Sequence, residues 1–306
     1  MQGNKRKEKG VKTLINRRRY KLLADFEKVS QFLDDNYNLK TLNSYLLRQF
    51  FEYAHTHPYF QHKKTHHFGL WEEEDRLVAL ACYEMEPGEA FLSVREGYNH
   101  LLPEMITYAE KELAAVIDNQ KKLNVWTTDS EKEKRELLAD KGYKKVYTEP
   151  ITIFSYDKDF VDLDLPEGYS IFSLEEENDI KKIHSCLWKG FDHGPEPDNN
   201  YDERLLMQSG PNFRKDLTTV IKAPDGEYAC YAGMWFDSQN HYAYLEPLAT
   251  VPEHRRKGLA TIALTEAMKK TKKLGAKYCF GGIFDFYQAI GFETICLREK
   301  WEKILK

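Results

Sequence analysis

The most constraining feature of the sequence is a short basic loop that leads from a predicted strand into a predicted helix. The strand covers Tyr242 to Thr250, and the helix covers Leu259 to Leu274, with small and apolar residues at helical spacing. Between them lies the sequence RRKGLA, residues 255–260. The first amides of a helix have no partner within it, and Gly258 carries no side chain to block a ligand. The loop therefore predicts a phosphate site at the start of the helix.

The segments around this loop predict an α+β fold. Alternating and helical spacings of apolar residues assign strands and helices. In the second half, the predicted strands cover 169–172, 217–221, 228–236, 242–250, 277–283 and 294–301, and the predicted helices cover 175–189, 259–274 and 286–290. The first half has a fainter version of this order, with predicted helices at 25–32, 42–54, 103–116 and 131–139. We expect a duplicated fold, each copy a mostly antiparallel mixed sheet flanked by helices.

The boundary between the two copies is placed in the acidic, turn-rich segment Asp157 to Pro166. The chain of 306 residues has about the length of two domains. We therefore predict one domain at 1–160 and a second at 165–306.

Two segments of the second half resemble a known family. Arg255-x-x-Gly258-x-Ala260, which follows Val251-Pro252-Glu253, resembles the acetyl-CoA-binding motif [Q/R]-x-x-G-x-[G/A] of the GNAT N-acetyltransferases. The later sequence FYQAIGF, residues 286–292, resembles the FY-x-x-x-GF segment of the same family. The corresponding stretch of the first half, FLSVREGYNHLLP at 91–103, has no such phosphate motif. The resemblance implies a tandem protein with an acetyl-CoA-binding GNAT domain at 165–306 and a degenerate GNAT-like domain at 1–160.

The resemblance also implies roles for particular residues. The backbone of the strand before the loop would bind the pantetheine arm, and the loop would bind the pyrophosphate. The residues concerned are Leu248, Ala249 and Thr250 on the strand, and Arg255, Arg256, Lys257, Gly258, Leu259 and Ala260 in the loop. Glu246 would act as the base, and Tyr287 matches the tyrosine that protonates the leaving sulfur.

The implied reaction moves an acetyl group from acetyl-CoA, as co-substrate, to a primary amine of a small molecule or peptide by direct attack. An alkyl amine with a pKa near ~10 is almost wholly protonated at neutral pH, so the reaction needs a base. No metal is required. Two other interpretations stay open: Glu246 as an ion-paired strand carboxylate and Tyr287 as a core aromatic residue. A non-catalytic CoA-binding sensor or interaction module is the alternative function.

The acceptor amine itself is not specified by the sequence. Trp188, Phe191, Asp192 and His193 precede a polar loop, where the family often builds its acceptor pocket; core packing is the default explanation for them, and acceptor contact is the alternative. Several histidines between His55 and His67 lack acidic or cysteine partners at metal-binding spacing, so we expect no metal site there.

Composition limits the other partners. The formal net charge of −4 argues against a surface built for nucleic acid or an anionic membrane. The basic run Lys5 to Arg19 is typical of a solvated terminal arm and lacks the apolar core of a secretory signal. No apolar stretch is long enough for a membrane helix, and the five cysteines form no CxxC pair. We expect a cytoplasmic protein with reduced thiols. The first copy would shape the acceptor side of the site or the surface of a homodimer.

Overall fold

The computed structural model describes residues 14–306. From residue 14 onward, the described part of the first half contains seven strands and four α-helices. Its elements are β1 (Ile15–Arg19), α1 (Leu22–Asp35), α2 (Arg48–His55), β2 (Gly69–Glu73), β3 (Arg76–Cys82), β4 (Glu89–Val94), α3 (Leu102–Glu112), β5 (Ala115–Ile117), β6 (Gln120–Thr128), α4 (Lys132–Asp140) and β7 (Lys144–Ser155).

The second half repeats the alternation of strands and helices. Its elements are β8 (Ser170–Ser173), α5 (Ile180–Gly190), α6 (Asp202–Met207), β9 (Thr219–Lys222), β10 (Tyr228–Asp237), β11 (Tyr242–Thr250), α7 (Leu259–Lys273), β12 (Tyr278–Phe280), α8 (Asp285–Ala289) and β13 (Glu293–Ile304). Short 3₁₀ segments lie at His62–His67, Asn99–Leu101 and Pro252–His254, and a turn with positive φ angles lies at Leu42–Tyr45. None of the helices described has the length and apolar character needed to cross a bilayer.

All the strands described join one mixed sheet of thirteen strands. The order is β1-β2-β3-β4-β6-β13-β7-β12-β11-β10-β9-β8, and β5 pairs with β6 outside this path. Most neighbours are antiparallel, whereas β4 with β6 and β11 with β12 are parallel. The predicted α+β class is confirmed, and the sheets of the two halves are continuous.

The last strands of the two halves are exchanged at the centre of the sheet. Strand β7 belongs to the first half in sequence, yet Phe154 in it pairs with Cys279 of β12. Strand β13 ends the second half, yet Trp301 in it pairs with Val125 of β6. The two exchanged strands also pair with each other along most of their length. Each half of the sheet is therefore completed by the other.

Helices cover both faces of the sheet in the second half. On β10, Cys230 and Ala232 share a core with α7, whereas Tyr231 between them packs with α5 on the opposite face. This alternation follows from the two-residue period of a strand. Strand β11 likewise contacts α5 and α7, so it lies in the sheet between these two helices.

A buried polar network joins the halves. Arg48 of α2 forms ion pairs with Asp34, at 2.8 Å, and with Glu52, at 3.4 Å. Gln49 donates to Asp237 of β10 at 3.2 Å and accepts from the Tyr242 hydroxyl at 2.6 Å. Because these groups are buried and mutually bonded, they fix α2 against the second half.

Two features of the first half differ from the predictions. The helix predicted at 42–54 is broken, because Leu42 to Tyr45 have positive φ angles, and only Arg48–His55 is α-helical. The basic arm is not solvated throughout: Ile15–Arg19 is a strand, and Arg18 bonds Asp25 and Glu72. The part of the basic run up to residue 13 lies outside the described residues.

Candidate active site

The site is organised by an opening between two parallel strands. Strand β11 pairs with β12 only from Tyr242 to Tyr244, opposite Tyr278 to Phe280. Beyond Tyr244, β11 continues to Thr250, whereas β12 ends at Phe280. The second half of β11 therefore has a ladder partner, β10, on one edge only.

A bulge lies at the start of this opening. In the ladder with β10, Ala232 pairs with Leu248 and Met234 with Leu245, so Gly233 faces two residues of β11, Glu246 and Pro247. A Cβ atom on Gly233 would lie 2.8 Å from Pro247 Cδ. The Trp235 indole donates to the Glu246 carbonyl oxygen at 2.9 Å. These contacts fix the backbone at Glu246.

Past the bulge, part of the β11 backbone is directed into the opening. Val251 donates its amide to the Ala229 carbonyl oxygen at 2.9 Å. Because bonding alternates along an antiparallel ladder, Ala249 also turns its groups toward β10, whereas Leu248 and Thr250 turn theirs into the opening. The Thr250 carbonyl oxygen accepts there from Arg255 Nε at 3.1 Å. Of the three predicted strand residues, two thus direct backbone groups into the opening.

The predicted loop leads into α7 as a left-handed turn. Gly258 has a φ of 79° and directly precedes the first helical residue. The first backbone bond of the helix runs from Ile262 to the Gly258 carbonyl oxygen, at 3.0 Å, and no side chain caps the helix. The amides of residues 259–261 therefore have no partner within the helix. A Cβ on Gly258 would lie 3.1 Å from the Leu163 methyl group, so the residue leaves room that a side chain would fill.

The basic side chains of the loop have different surroundings. Arg255 donates to the Gly190 carbonyl oxygen and to Asp192, each at 2.9 Å, and so ties the loop to the end of α5. Lys257 donates to the Tyr169 hydroxyl at 3.0 Å. Both side chains are exposed, as is that of Arg256. The positive charge thus lies at the helix start, where an anion would bind.

A cavity of about 310 Å³ in the opening brings together the two predicted catalytic residues. Glu246 and Tyr287 both line it, as does Leu248. Gly281 and Gly282, which follow β12, form part of its wall, and a Cβ on Gly282 would lie 2.9 Å from the Tyr287 ring carbon that bears the hydroxyl. The glycines therefore allow the Tyr287 ring to lie against the end of β12.

The two side chains have perturbed acidities. Burial raises the pKa of Glu246 to about 7. Among the described residues, its carboxylate has no hydrogen-bond or ion-pair partner to oppose that shift. Burial, and then the charge of Glu246, raise the pKa of Tyr287 above its usual value. At neutral pH the site thus holds a carboxylate near half ionisation and a phenol that keeps its proton.

A second cavity, of about 440 Å³, adjoins the first and shares Glu246 and Tyr244 with it. The predicted acceptor residues Trp188, Phe191 and His193 line this second cavity. Asp192 is absent from its lining and binds Arg255 instead.

Sequence reasoning missed the other wall of this cavity, which comes from the first half. Phe50 and Tyr53 of α2 line it, as do Glu84 and Met85 after β3. Burial, reinforced by the charge of Glu89, raises the pKa of Glu84 to about 8. No local pattern could have identified these residues, because they lie far from Glu246 in sequence and meet it only through the packing of the halves.

The corresponding place in the first half is filled by the chain itself. Strand β4 pairs with β6 only from Glu89 to Phe91, and both strands continue beyond that pairing. The segment 41–45 lies there: Lys134 donates to the Ser44 hydroxyl at 2.7 Å and to the Leu92 carbonyl oxygen at 2.9 Å. Thr128 donates to the Thr41 carbonyl oxygen at 2.9 Å.

Two observations concern the rest of the described chain. Between residues 14 and 306, no three His, Cys, Asp or Glu side chains cluster as metal ligands would. A cavity of about 630 Å³ lies in the first half beside Arg95 and Lys134 and includes neither Glu246 nor Tyr287.

Comparisons with known proteins find a family domain in the second half and solved structures that share the fold. Residues 178–292 match the family model described as Acetyltransferase (GNAT) family. None of the curated protein sequences matches the chain significantly.

Three solved structures share the fold over nearly the whole chain. A GCN5-related N-acetyltransferase from Sphaerobacter thermophilus is 13% identical over 95% of both chains, with a TM-score of 0.61. A GNAT-family acetyltransferase from Colwellia psychrerythraea is 12% identical over 95% of this chain and 100% of that chain, with a TM-score of 0.58. A tandem GNAT protein from the clavulanic acid biosynthesis pathway is 14% identical over 95% and 98% of the two chains, with a TM-score of 0.57.

Proposed function

Because the chain belongs to the GNAT acetyltransferase superfamily, through a family domain at residues 178–292, we propose that it transfers an acetyl group from acetyl-CoA to a primary amine. The observation that carries this proposal is the cavity in the opening beside β11, which Glu246 and Tyr287 both line. If Glu246 and Tyr287 had only structural roles, nothing would require the two side chains to line the same cavity.

The residues present fit acetyl-CoA. The free amides at the start of α7, with the cations of Arg256 and Lys257 beside them, suit the pyrophosphate. Leu248 and Thr250 offer backbone groups that a pantetheine arm could bond as an added strand would. Acetyl-CoA supplies an activated thioester to this site. Gly258 leaves space between the loop and Leu163, which a side chain at residue 258 would fill.

Glu246 is proposed as the base. The incoming amine arrives protonated and must lose a proton before its nitrogen can attack. A carboxylate whose pKa lies near 7 can hold that proton at neutral pH, which Glu246 in water could not. Glu246 takes one proton from the ammonium. As the C–N bond forms and the thioester C–S bond breaks, the second proton lost from nitrogen replaces the one that Tyr287 gives to the sulfur.

Tyr287 is proposed as the acid. Its raised pKa keeps the phenol protonated, so it can give a proton to the departing sulfur. Its ring is held between Gly282 and Phe292, which orients the hydroxyl. No covalent intermediate on the protein is needed, because the amine nitrogen attacks the thioester carbon directly.

The first half, residues 1–160, is proposed as a degenerate copy that has lost CoA binding and builds the acceptor wall. Phe50, Tyr53 and Glu84 carry this part of the proposal, because they line the cavity that adjoins Glu246. The five cysteines are free thiols, which supports a reducing, cytoplasmic location.

A thiol-release assay with acetyl-CoA and a mixed panel of amines tests the function, together with calorimetric CoA binding. We expect both signals from the full chain. Gly258→Val should abolish CoA binding with an unchanged circular dichroism spectrum, whereas Gly226→Asn, at an open turn, should bind normally. CoA binding without thiol release against any amine would leave the non-catalytic sensor as the function.

A further inference from the structure

A buried arginine without an acidic partner lies in the second cavity. Arg204 of α6 lines this cavity and is only 9% exposed. Its Nε atom is buried with no hydrogen-bond partner, and Nη1 contacts only the Met207 sulfur, at 3.1 Å. Among residues 14–306, no carboxylate lies within ion-pair distance of it. A buried charge of this kind is costly unless a ligand or a neighbour pairs with it.

A second buried donor lines the same cavity. The Trp188 indole Nε1 is buried and has no acceptor. Trp188 comes from α5 and Arg204 from α6, so two separate helices contribute unsatisfied N–H groups to the lining of one cavity. Buried donors in proteins are almost always paired, which indicates an acceptor that binds here from outside the chain.

The carboxylates that line this cavity do not supply the acceptor that Arg204 and Trp188 lack. Glu203 accepts from Asn200 at 2.8 Å. Glu84 has a pKa raised to about 8 and is therefore largely neutral at pH 7. Glu246 lies at the boundary with the catalytic cavity, where the amine must be. The cavity thus has an acidic end at Glu246 and a cationic end at Arg204.

We propose that the acceptor is an amino carboxylate, an amino acid or short peptide whose amine faces Glu246 and whose carboxylate is bound by Arg204 and Trp188. A guanidinium matches a carboxylate in two parallel hydrogen bonds. A single arginine neutralises one negative charge, which suits a carboxylate better than a phosphate dianion. This inference rests on the proposed function, since it names the acceptor class of the same site.

The remaining walls fit an apolar body on that acceptor. Phe50, Tyr53, Phe191 and Tyr244 line the same cavity as Glu246 and Arg204. Such side chains add affinity through buried area and leave orientation to the few polar groups.

The first test compares three amines of one shape: L-phenylalanine, its amide and 2-phenylethylamine. Thiol release from acetyl-CoA by the wild-type chain should show a kcat/KM about 10- to 100-fold higher for the carboxylate than for the other two, since a charge-assisted bond is lost in each. Equal or greater efficiency with the amide or the phenylethylamine would overturn the inference and leave acyl transfer intact. A preference for O-phosphoethanolamine over all three would assign the site to phosphate and also overturn it.

The second test changes the arginine. Arg204→Met keeps the length and packing of the side chain, and should raise KM for phenylalanine about 10-fold or more while leaving KM for its amide unchanged. Arg204→Lys should recover part of the lost affinity for phenylalanine, because lysine keeps the positive charge but lacks the two parallel N–H donors of the guanidinium. Arg214→Met is the matched control, since Arg214 pairs with Asp216 outside the cavity. A uniform loss with all amines would indicate a merely structural role and contradict the inference.

The third test needs no turnover. Calorimetry should detect L-phenylalanine, or its N-acetyl derivative, binding to the full chain and show that Arg204→Met abolishes this binding. Carboxylate binding in a chain that releases no thiol from any amine would uphold the anion site while the proposed function fails. Absence of binding by either carboxylate, in a chain that binds CoA, would overturn the site itself.

Discussion

Gly233 of β10 lies directly against the main chain of Glu246 in β11, at the register shift of their ladder. A Cβ at residue 233 would come within 2.9 Å of the Glu246 carbonyl carbon. The position of the proposed base therefore depends on the absence of a side chain on the neighbouring strand.

Gly233→Ala should damage this site. The added methyl group must push the β11 backbone away, which we expect to cost about 1–3 kcal/mol of unfolding free energy. It should also lower thiol release by more than the stability loss explains, because Glu246 moves. Chemical denaturation and initial rates measure both. Gly226→Asn is the control, since that glycine has open space around it and Asn tolerates its positive φ of 88°. An alanine variant with wild-type rate would contradict this role of Gly233.

The pH–rate profile should reflect Glu246. Because its pKa is raised to about 7 and the ionised form is the base, kcat/KM should rise with pH and level off above that value. Glu246→Gln should lower the rate roughly 10²–10⁴-fold and remove this limb. Glu84→Gln, which changes the other raised carboxyl group of the cavity, should leave the limb in place. A limb that persists in Glu246→Gln would exclude Glu246 as the titrating base.

The raised pKa of Glu246 should also make the unfolding free energy depend on pH: ionisation of this carboxyl group destabilises the folded chain. The pKa of Glu246 is higher in the folded chain than its reference value of 4.5, so folding favours the protonated form. Its contribution to stability is full at pH values below the reference pKa and is lost as the pH rises toward 7. Glu246→Gln should therefore be more stable than the wild type at pH 8, by roughly 1–3 kcal/mol, and equal to it at pH 4. Urea denaturation at the two pH values measures the difference, and an equal effect at both would contradict the shift.

Tyr287→Phe should separate catalysis from binding. The phenylalanine ring keeps the packing against Phe292 and removes only the hydroxyl. We expect kcat to fall about 10²-fold or more while the Kd for CoA changes less than threefold. Initial-rate assays measure kcat, and calorimetry measures the Kd for CoA. Phe286→Leu, a neighbouring aromatic change, should leave kcat near the wild-type value. Equal losses of kcat and affinity in Tyr287→Phe would count against the acid role.

CoA should bind with a stoichiometry of one per chain. The opening of the second half is free beside Leu248, whereas in the first half residues around Ser44 lie between β4 and β6, bonded through Lys134. Calorimetric titration of the full chain should give one site, and Gly258→Val should leave none. A second site that survives Gly258→Val would show that the first half retains CoA binding.

The sequence predicted the local parts of the site well. The strand at 242–250 and the helix from Leu259 lie where their apolar spacing placed them, and Gly258 has the left-handed φ of a turn. These features depend on neighbours within a few residues, which a single sequence contains. The proposed roles of Glu246 and Tyr287 stay predictions, although the fold brings the two side chains to one cavity.

The parts that sequence reasoning missed depend on distant partners. Strand β7 is rich in β-branched and aromatic residues, but it begins with the exposed Lys144 and Lys145, and Pro150 interrupts the run, so it is not among the predicted strands. It is a strand because β12 and β13, far along the chain, bond its two edges. The Leu42–Tyr45 turn has four positive φ angles that its composition does not indicate, and its contacts with β6 and α4 hold it there.

The exchanged strands have a further consequence for any attempt to divide the protein. A piece ending near residue 160 would lack β13 beside β6, and a piece starting near 165 would lack β7 beside β12. Each piece would then present bare strand edges at its centre, the kind of surface that drives aggregation. The two pieces produced together in one cell should instead reassemble around these edges, so that activity returns by complementation although neither piece is soluble alone.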